Sequence, residues 1–153
     1  MRHEQRAKKQ GAVAAWLGDP KSPRVLVLSG GGGKTTAASC TAAAGPRGRI
    51  LSASILAQPW RSGLFSAERV REDLATCGLL VVDDIGAEHA QQRGWVSVAL
   101  RDLLELRQAA ELRTILTTNL SRAELERAYS DPRLTSRLAR ARWIADAETP
   151  ESA

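Results

Sequence analysis

Three segments of the chain have the composition of strands that are covered on both faces. Residues 25–28 and 79–82 are continuous apolar runs, and residues 113–119 have an apolar centre followed by small polar residues. Continuous rather than alternating apolar positions are typical of parallel sheets, whose two faces both pack against helices. Residues 49–54 and 143–145 predict two shorter strands. We therefore expect a mostly parallel sheet of about five strands.

Segments with helical periodicity separate these strands, which predicts a three-layer α/β sandwich. A first helix precedes residue 25 and would pack Val13, Trp16 and Leu17 on the domain. Further helices are predicted at residues 37–44, 66–77, 95–110, 121–129 and from 131 onward. The last two begin with recognisable caps: Ser121 with Glu124, and Asp131 with Pro132. Residues 55–63 remain ambiguous because Pro59 interrupts them.

The longest of these helices, residues 95–110, is amphipathic. Its predicted buried face carries Trp95, Ala99, Leu103, Leu106 and Ala110. Leu100 and Leu104 widen this stripe; core packing is their expected use, and contact with a neighbouring subunit is the alternative. The preceding residues 87–94 are polar and predict a loop, with His89 at the surface.

A length of 153 residues predicts one domain. We divide it into a helix and turn at 1–24, a core at 25–146 and a frayed polar tail at 147–153. Hydrophobic residues make up 43% and charged residues 25%, with no apolar run near the ~20 residues of a membrane span. Cys40 and Cys77 have no metal-ligand spacing, and no signal-peptide pattern opens the chain. We therefore expect reduced thiols, no membrane partner and a cytoplasmic location.

The net charge of +5 favours anionic partners. A nucleotide would account for part of this charge and nucleic acid for more, while an ordinary Arg-rich solvated surface is an equally open explanation. Aromatic residues are only 4% of the chain, which argues against a large base-stacking platform.

Four glycines between the first predicted strand and the next helix form a phosphate-binding pattern. Residues 29–36 read Ser29, Gly30, Gly31, Gly32, Gly33, Lys34, Thr35 and Thr36. Glycines let backbone amides approach phosphate oxygens without a Cβ in the way, and the helix start adds partial positive charge. Lys34 would bind the β- and γ-phosphates of ATP, and the Thr35 hydroxyl would ligate Mg²⁺.

The glycine spacing departs from the usual phosphate loop, G-x-x-x-x-G-K-[ST]. Counting back from Gly33 puts Leu28 at the first glycine position. Either the first strand runs one residue further than usual, or the loop is two residues short, begins at Gly30 and closes tightly around a triphosphate. A nucleotide-dependent binding module with little turnover is therefore an alternative to an ATPase. The deviant loop of partition-type ATPases has the same length, but Ser29 stands at its signature lysine.

Two carboxylates close the apolar run of residues 79–82. Asp83 would hold Mg²⁺ directly or through water, and Asp84 would orient or deprotonate the attacking water. Ligands bind at the carboxyl ends of strands in open α/β sheets, so both would lie beside the phosphate loop if the two strands are neighbours. Asn119, at the end of the third buried strand, would polarise the water between Asp84 and the γ-phosphate.

In this order the motifs resemble the ATPase domain of the AAA+ family, in particular the branch of DnaC-type helicase loaders and IstB-type transposition helpers. The resemblance covers about residues 10–146 and is clearest at residues 80–88 and 136–138. It implies that Asp83 and Asp84 are the Walker B pair and that Asn119 is the sensor-1 residue. It also implies that Arg137 is an arginine finger, which would complete a neighbouring subunit's site.

The resemblance further implies a slow Mg²⁺-dependent ATPase that acts in DNA replication. Its partners would be other copies of the chain, a replicative helicase or a transposase, and single-stranded DNA. An IstB-like helper that acts on double-stranded DNA is the alternative. Proteins of this branch usually carry a further amino-terminal region, whereas 24 residues precede the first predicted strand here, and no helical lid is expected after Trp143. A bare nucleotide-binding core is therefore expected.

Overall fold

Five parallel strands form one sheet at the centre of the fold, as predicted. The computed structural model describes residues 2–30, 34–45, 47–62 and 65–145, so the predicted tail at 147–153 lies outside the described residues. The strands are β1 Val25–Ser29, β2 Gly48–Ser52, β3 Leu79–Asp83, β4 Arg113–Thr118 and β5 Arg142–Ile144. β1, β3 and β4 are almost entirely buried, because their sequences are apolar or small on both faces.

The strand order across the sheet is β2-β3-β4-β1-β5, and every neighbouring pair is parallel. The condition that β1 and β3 be neighbours does not hold, because β4 lies between them and pairs with both. All three strands still end at the same edge of the sheet, each about 4.8 Å from the next. The ends of β1 and β3, after which the glycine segment and Asp84 follow, therefore lie on either side of the end of β4.

Helices cover both faces of the sheet and complete the three predicted layers. They are α1 Arg2–Gly18, α2 Lys34–Ala44, α3 Ala53–Arg61, α4 Phe65–Thr76, α5 Ala90–Ala109, α6 Arg122–Ala128 and α7 Pro132–Ala139. On one face Val13 and Trp16 of α1 join Ala38 of α2 in an apolar cluster with the strands. On the other face α3 to α7 contribute the larger cluster, which includes Leu56 and Leu103.

The long helix α5 begins earlier than predicted and presents a different face to the core. It starts at Ala90, so the segment predicted as a loop is mostly helical. Trp95 and Leu106, predicted inside, are 43% and 55% exposed, and Ala110 is exposed as well. The buried positions are Val96, Ala99, Leu100, Leu103, Leu104 and Arg107. The predicted buried face is therefore wrong at Trp95, Leu106 and Ala110. The prediction placed the apolar Leu106 inside, whereas the charged Arg107 faces the core.

Residues 55–63, ambiguous in sequence, are helical as far as Arg61. The predicted second strand ends two residues early, at Ser52, whose hydroxyl accepts a hydrogen bond from the N–H of Ile55 and caps α3. Pro59 lies near the end of this helix, so its missing N–H removes a single intrahelical bond. Trp60 packs against the core and donates its indole N–H to Asp102 at 3.0 Å.

The short helices α6 and α7 start as their caps predict. Ser121 and Glu124 form a reciprocal capping box, and Asp131 accepts a hydrogen bond from the N–H of Arg133, with Pro132 in the first turn. His89 is exposed, as expected. Within the described ranges, no helix combines the length and apolar character that crossing a membrane requires.

Arg107 is a fully buried arginine at the junction of α4, α5 and β4. Its Nε donates to Thr114 Oγ1 at 2.9 Å, and Nη2 donates to the Arg113 carbonyl at 2.8 Å. Nη1 donates to the carbonyls of Leu74 and Cys77 at 2.9 and 2.7 Å. Burial lowers the pKa of Arg107 and raises the pKa of the Cys77 thiol, which is free, as predicted, and buried. The side chain of Cys40 lies outside the described part of the chain.

We expect Arg107→Met to lower the free energy of unfolding by about 3 kcal/mol. Methionine fills part of the volume but leaves one hydroxyl and three carbonyls without their buried donor. Arg127→Met, at an exposed position of α6, is the matched control and should stay within about 0.5 kcal/mol of the wild type. Urea unfolding followed by circular dichroism measures both, and equal midpoints for the two variants would contradict the role given to Arg107.

The end of α1 is fixed to the amino end of β4. Trp16 donates its indole N–H to the Pro23 carbonyl at 2.6 Å. The Arg113 guanidinium donates to the carbonyls of Trp16 and Asp19 at 3.0 and 2.7 Å and to Ser22 Oγ at 2.8 Å. Its Cζ also lies 4.8 Å from the centre of the Trp16 ring, a cation–π contact. The amino-terminal helix is therefore an integral part of the domain.

Candidate nucleotide-binding site

β1 continues past the position where a usual phosphate loop has its first glycine. Leu28 is fully buried within β1 and pairs with Thr117 on one side and Ile144 on the other. Gly30 follows the strand with a φ of 96°, a conformation that favours glycine. β1 therefore runs further than usual and the loop begins at Gly30. Two residues separate Gly30 from Gly33, where the usual loop has four.

The loop leads into α2, which starts at Lys34. Gly31, Gly32 and Gly33 lie outside the described residues, and so does the side chain of Thr36. The loop occupies the end of a buried strand and the start of an eleven-residue helix. This is the position at which backbone amides and the helix dipole favour a bound phosphate.

Lys34 and Asn119 are in direct contact. The Lys34 side chain is 6% exposed, and its Nζ donates to Asn119 Oδ1 at 2.5 Å. Asn119 directly follows β4, so this bond joins the start of α2 to the end of β4. The Lys34 ammonium and the amides at the start of α2 both carry positive charge, which suits an anion.

Asp83, the last residue of β3, accepts hydrogen bonds from two threonines. Thr35 Oγ1 donates to Asp83 Oδ1 at 3.0 Å, and Thr117 Oγ1 donates to the same oxygen at 2.5 Å. Thr35 is exposed and Asp83 is half-buried, so their contact lies at the surface of the site. The two residues predicted to hold a metal ion therefore meet, with the β4 residue Thr117 as an additional partner that was not predicted.

The oxygens of Thr35 and Asp83 have the spacing of two adjacent ligands of a magnesium ion. Mg²⁺ takes oxygen ligands at about 2.0–2.1 Å in octahedral geometry, which separates adjacent ligands by about 2.9–3.0 Å. Thr35 Oγ1 and Asp83 Oδ1 are 3.0 Å apart. Among the described residues, no group of three His, Cys, Asp or Glu side chains could hold a metal ion alone. Phosphate oxygens and water would therefore supply the remaining ligands, as Mg²⁺ commonly requires.

Asp84 begins a turn that is attached to β4. Its φ of 57° is left-handed, a region in which Asp and Asn are enriched among residues other than glycine. The N–H of Asp84 donates to Thr117 Oγ1 at 3.0 Å, and the N–H of Ile85 donates to the Thr117 carbonyl at 2.9 Å. The carboxylate is half-buried, and no described residue forms a hydrogen bond or ion pair with it.

A buried pair that was not predicted lies behind this turn. Glu88 and Tyr129 are 5% and 1% exposed. The N–H of Gly86 donates to Glu88 Oε2 at 2.9 Å and to the Tyr129 hydroxyl at 2.8 Å, and that hydroxyl donates to Glu88 Oε1. Burial, followed by the hydrogen bond and charge of Glu88, raises the pKa of Tyr129, so the phenol remains protonated. Glu88 and Tyr129 are 41 residues apart in the sequence, so no local pattern predicts their contact. The only sequence signal is the acidic Glu88 in the segment after β3.

Arg137 lies away from this edge of the sheet. Its Nη1 donates to Gln108 Oε1 at 2.7 Å, and its Nη2 is 3.7 Å from Glu105 Oε1. Both partners lie near the end of α5, shortly before β4 begins, which places them toward the amino ends of the strands. Arg137 therefore does not belong to the group formed by Lys34 and Asp83 in its own chain.

The strand order, the place of the glycine segment after β1 and the two aspartates at the carboxyl end of β3 define an α/β fold of the P-loop NTPase type. Solved structures with this fold include the DnaC helicase loader, at 18% identity and a TM-score of 0.68, covering 92% of this chain and 86% of that one. DnaI matches at 20% identity and a TM-score of 0.68, covering 95% of this chain and 85% of that one.

A further match is the replication initiator DnaA bound to AMPPCP and single-stranded DNA, at 18% identity and a TM-score of 0.72. That match covers 95% of this chain but 46% of DnaA, so the chain spans less than half of the initiator's length. No protein-family model matches the sequence, and no curated protein does either. At 18–20% identity the similarities establish the fold, and the activity has to be argued from the site.

Proposed function

We propose that this protein binds ATP with Mg²⁺, hydrolyses it slowly, and acts in DNA replication as a helicase-loader-like ATPase. The observation that carries the proposal is a set of two contacts at one edge of the sheet. Lys34 bonds to Asn119, and Thr35 bonds to Asp83. A phosphate-binding lysine, a pair of metal-ligating oxygens and a water-polarising amide are the groups that phosphoryl transfer requires.

Each residue has a defined part in the proposed reaction. Lys34 and the amides at the start of α2 hold the phosphates, while Thr35 and Asp83 hold the metal ion. Mg²⁺, when bound, neutralises charge that develops on the β- and γ-phosphate oxygens. Asp84 orients the attacking water or accepts its proton, and Asn119 polarises the same water. Because Asn119 also accepts a hydrogen bond from Lys34, the phosphate-binding and water-orienting groups are held together.

The proposed setting is the cytoplasm, with a replicative helicase, single-stranded DNA and further copies of this chain as partners. Support comes from the solved structures that share the fold, a helicase loader and an initiator bound to single-stranded DNA. This support is an analogy of fold. The net charge of +5 is also suited to nucleic acid, whose phosphates attract basic surfaces.

A nucleotide-dependent binding module with little turnover is the second candidate. The short glycine spacing between Gly30 and Gly33 favours it. A tight loop would hold the phosphates without aligning the γ-phosphoryl group and water for in-line attack. ATP binding by the wild-type protein without phosphate release, with or without single-stranded DNA, would select this candidate.

Lys34→Ala tests nucleotide binding. We expect the dissociation constant for ATP to rise about 10–100-fold, because charge-assisted hydrogen bonds contribute about 1.5–3 kcal/mol. Phosphate release should fall with it. Lys21→Ala, which removes an exposed lysine, is the matched control and should leave the affinity unchanged. Titration calorimetry with Mg²⁺ measures binding, and wild-type affinity together with wild-type phosphate release in Lys34→Ala would overturn the proposal.

A further inference from the structure

We propose that Glu88 and Tyr129 are positioning residues for hydrolysis, which hold the turn bearing Asp84 in place without contacting the nucleotide. The inference rests on the proposed ATPase function and deepens it. The carrying observation is that both side chains bond to the backbone N–H of Gly86, two residues after Asp84.

The turn after β3 needs support from its surroundings. Asp84 has a φ of 57° and Gly86 a φ of 87°, and a left-handed backbone at a residue other than glycine persists only where neighbouring groups fix it. A Cβ on Gly86 would lie 2.5 Å from Leu120 Cδ1, so the backbone packs closely here. A small shift at Gly86 would therefore change the direction in which Asp84 projects.

Hydrogen bonds hold this turn on two sides. On the side of β4, Thr117 Oγ1 accepts a hydrogen bond from the N–H of Asp84, and Thr118 Oγ1 donates to the Ile85 carbonyl at 2.8 Å. On the opposite side, the N–H of Gly86 is held by Glu88 and Tyr129. The second attachment comes from outside the sheet, because Tyr129 caps the end of α6.

The hydrogen bonds of Glu88 and Tyr129 indicate that the two residues fix the position of Gly86. Burying a carboxylate costs several kcal/mol and is offset only by well-formed hydrogen bonds, so apolar packing would stabilise the site equally well. Glu88 receives a backbone N–H on one oxygen and a phenol on the other. Such a two-point arrangement fixes the position of Gly86 more narrowly than apolar contacts would.

The pair should affect turnover more than nucleotide affinity. Lys34 and Asp83 are held by their own bonds to Asn119, Thr35 and Thr117, none of which involves Glu88 or Tyr129. A displaced Asp84 would misalign the attacking water while the phosphates and metal ion stay bound. Misalignment of a reacting group by a fraction of an ångström slows a reaction without weakening binding.

Tyr129→Phe removes a single hydroxyl and is the main test. We expect ATP turnover to fall about tenfold, with the dissociation constant for ATP changed by less than about twofold. Thr135→Val is the matched control, since it removes a partly buried hydroxyl from the neighbouring helix and should leave both quantities unchanged. Glu88→Gln can still accept from Gly86 and donate to the phenol, so it should retain more turnover than Glu88→Ala.

The outcomes separate this inference from the proposed function. Absence of turnover in the wild-type protein overturns the ATPase and this inference together. Wild-type turnover that is unchanged in Tyr129→Phe overturns only the inference. A parallel loss of affinity and turnover, or equal losses in Glu88→Gln and Glu88→Ala, would indicate a general structural role and overturn it as well. Faster hydrogen exchange of the Gly86 amide in Tyr129→Phe is the expected accompanying result.

Discussion

Asp84→Asn should slow ATP hydrolysis by about a thousandfold, within the ~10²–10⁴-fold range of general acid–base catalysis. Asparagine keeps the size of the side chain and tolerates the left-handed backbone at this position, where φ is 57°. It loses the charge that would attract the proton of the attacking water. The affinity for ATP should remain within about a factor of three, because the proposed phosphate-binding groups, Lys34 and the start of α2, are unchanged in this variant.

Phosphate release under saturating ATP and Mg²⁺ measures the effect on turnover. Asp73→Asn is the control: Asp73 is an exposed aspartate of α4 that pairs with Arg49, and its loss should not alter turnover. Turnover in Asp84→Asn equal to that of Asp73→Asn would exclude Asp84 from the reaction. Loss of ATP binding in Asp84→Asn would instead assign the residue to the nucleotide site itself.

Arg137→Ala should lower turnover by about a thousandfold if this residue completes a neighbouring subunit's site, in line with the ~10³–10⁵-fold effect of arginine fingers. Its bonds to Gln108 and Glu105 keep it near the amino ends of the strands. Lys34 lies at the opposite edge, so any contact of Arg137 with a γ-phosphate requires a second copy of the chain. Arg133→Ala, which removes an exposed arginine of the same helix, should have little effect.

A mixing experiment isolates this effect of Arg137 between subunits. Arg137→Ala protein has an intact Asp84, and Asp84→Asn protein has an intact Arg137. If the two subunits assemble, the second supplies its arginine to the first, and part of the turnover returns on mixing. Turnover should also rise steeply with wild-type protein concentration. If the two variants assemble but stay inactive when mixed, Arg137 does not act on a neighbouring subunit's site.

Local sequence signals predicted much of the fold. Residues 25–28 and 79–82 could be assigned as buried strands because continuous apolar runs have few other stable arrangements. The starts of α6 and α7 followed from Ser121 and Asp131, whose side chains bond within three residues of themselves. Such features need no knowledge of the rest of the chain.

Features that depend on distant partners could not be predicted in this way. Arg107 is buried because four acceptors from α4 and β4 surround it, and its own sequence neighbourhood suggests a solvated helix position. The same partners explain why α5 turns Arg107 inward and Leu106 outward. The place of β4 between β1 and β3 is likewise a property of the assembled sheet.

The candidate site was predictable where a motif dictates residue types. The sequence predicted Lys34, Asp83 and Asn119 as members of one site. Lys34 bonds to Asn119, and Asp83 bonds to Thr35, the residue after Lys34. The functions given to these residues stay predictions. Thr117 was missed because a threonine at the end of a strand has no distinctive spacing. The function of Arg137 came from a family resemblance, and it stays a prediction.

The two ends of β4 carry side chains that lie on the same face of the sheet and bind different parts of the molecule. Arg113 fixes the end of α1, and Thr117 bonds to Asp83 and Asp84. Adding or deleting one residue between them would turn one of the two side chains to the opposite face, because successive strand residues alternate. Homologous chains should therefore differ in length in their loops and keep this interval unchanged.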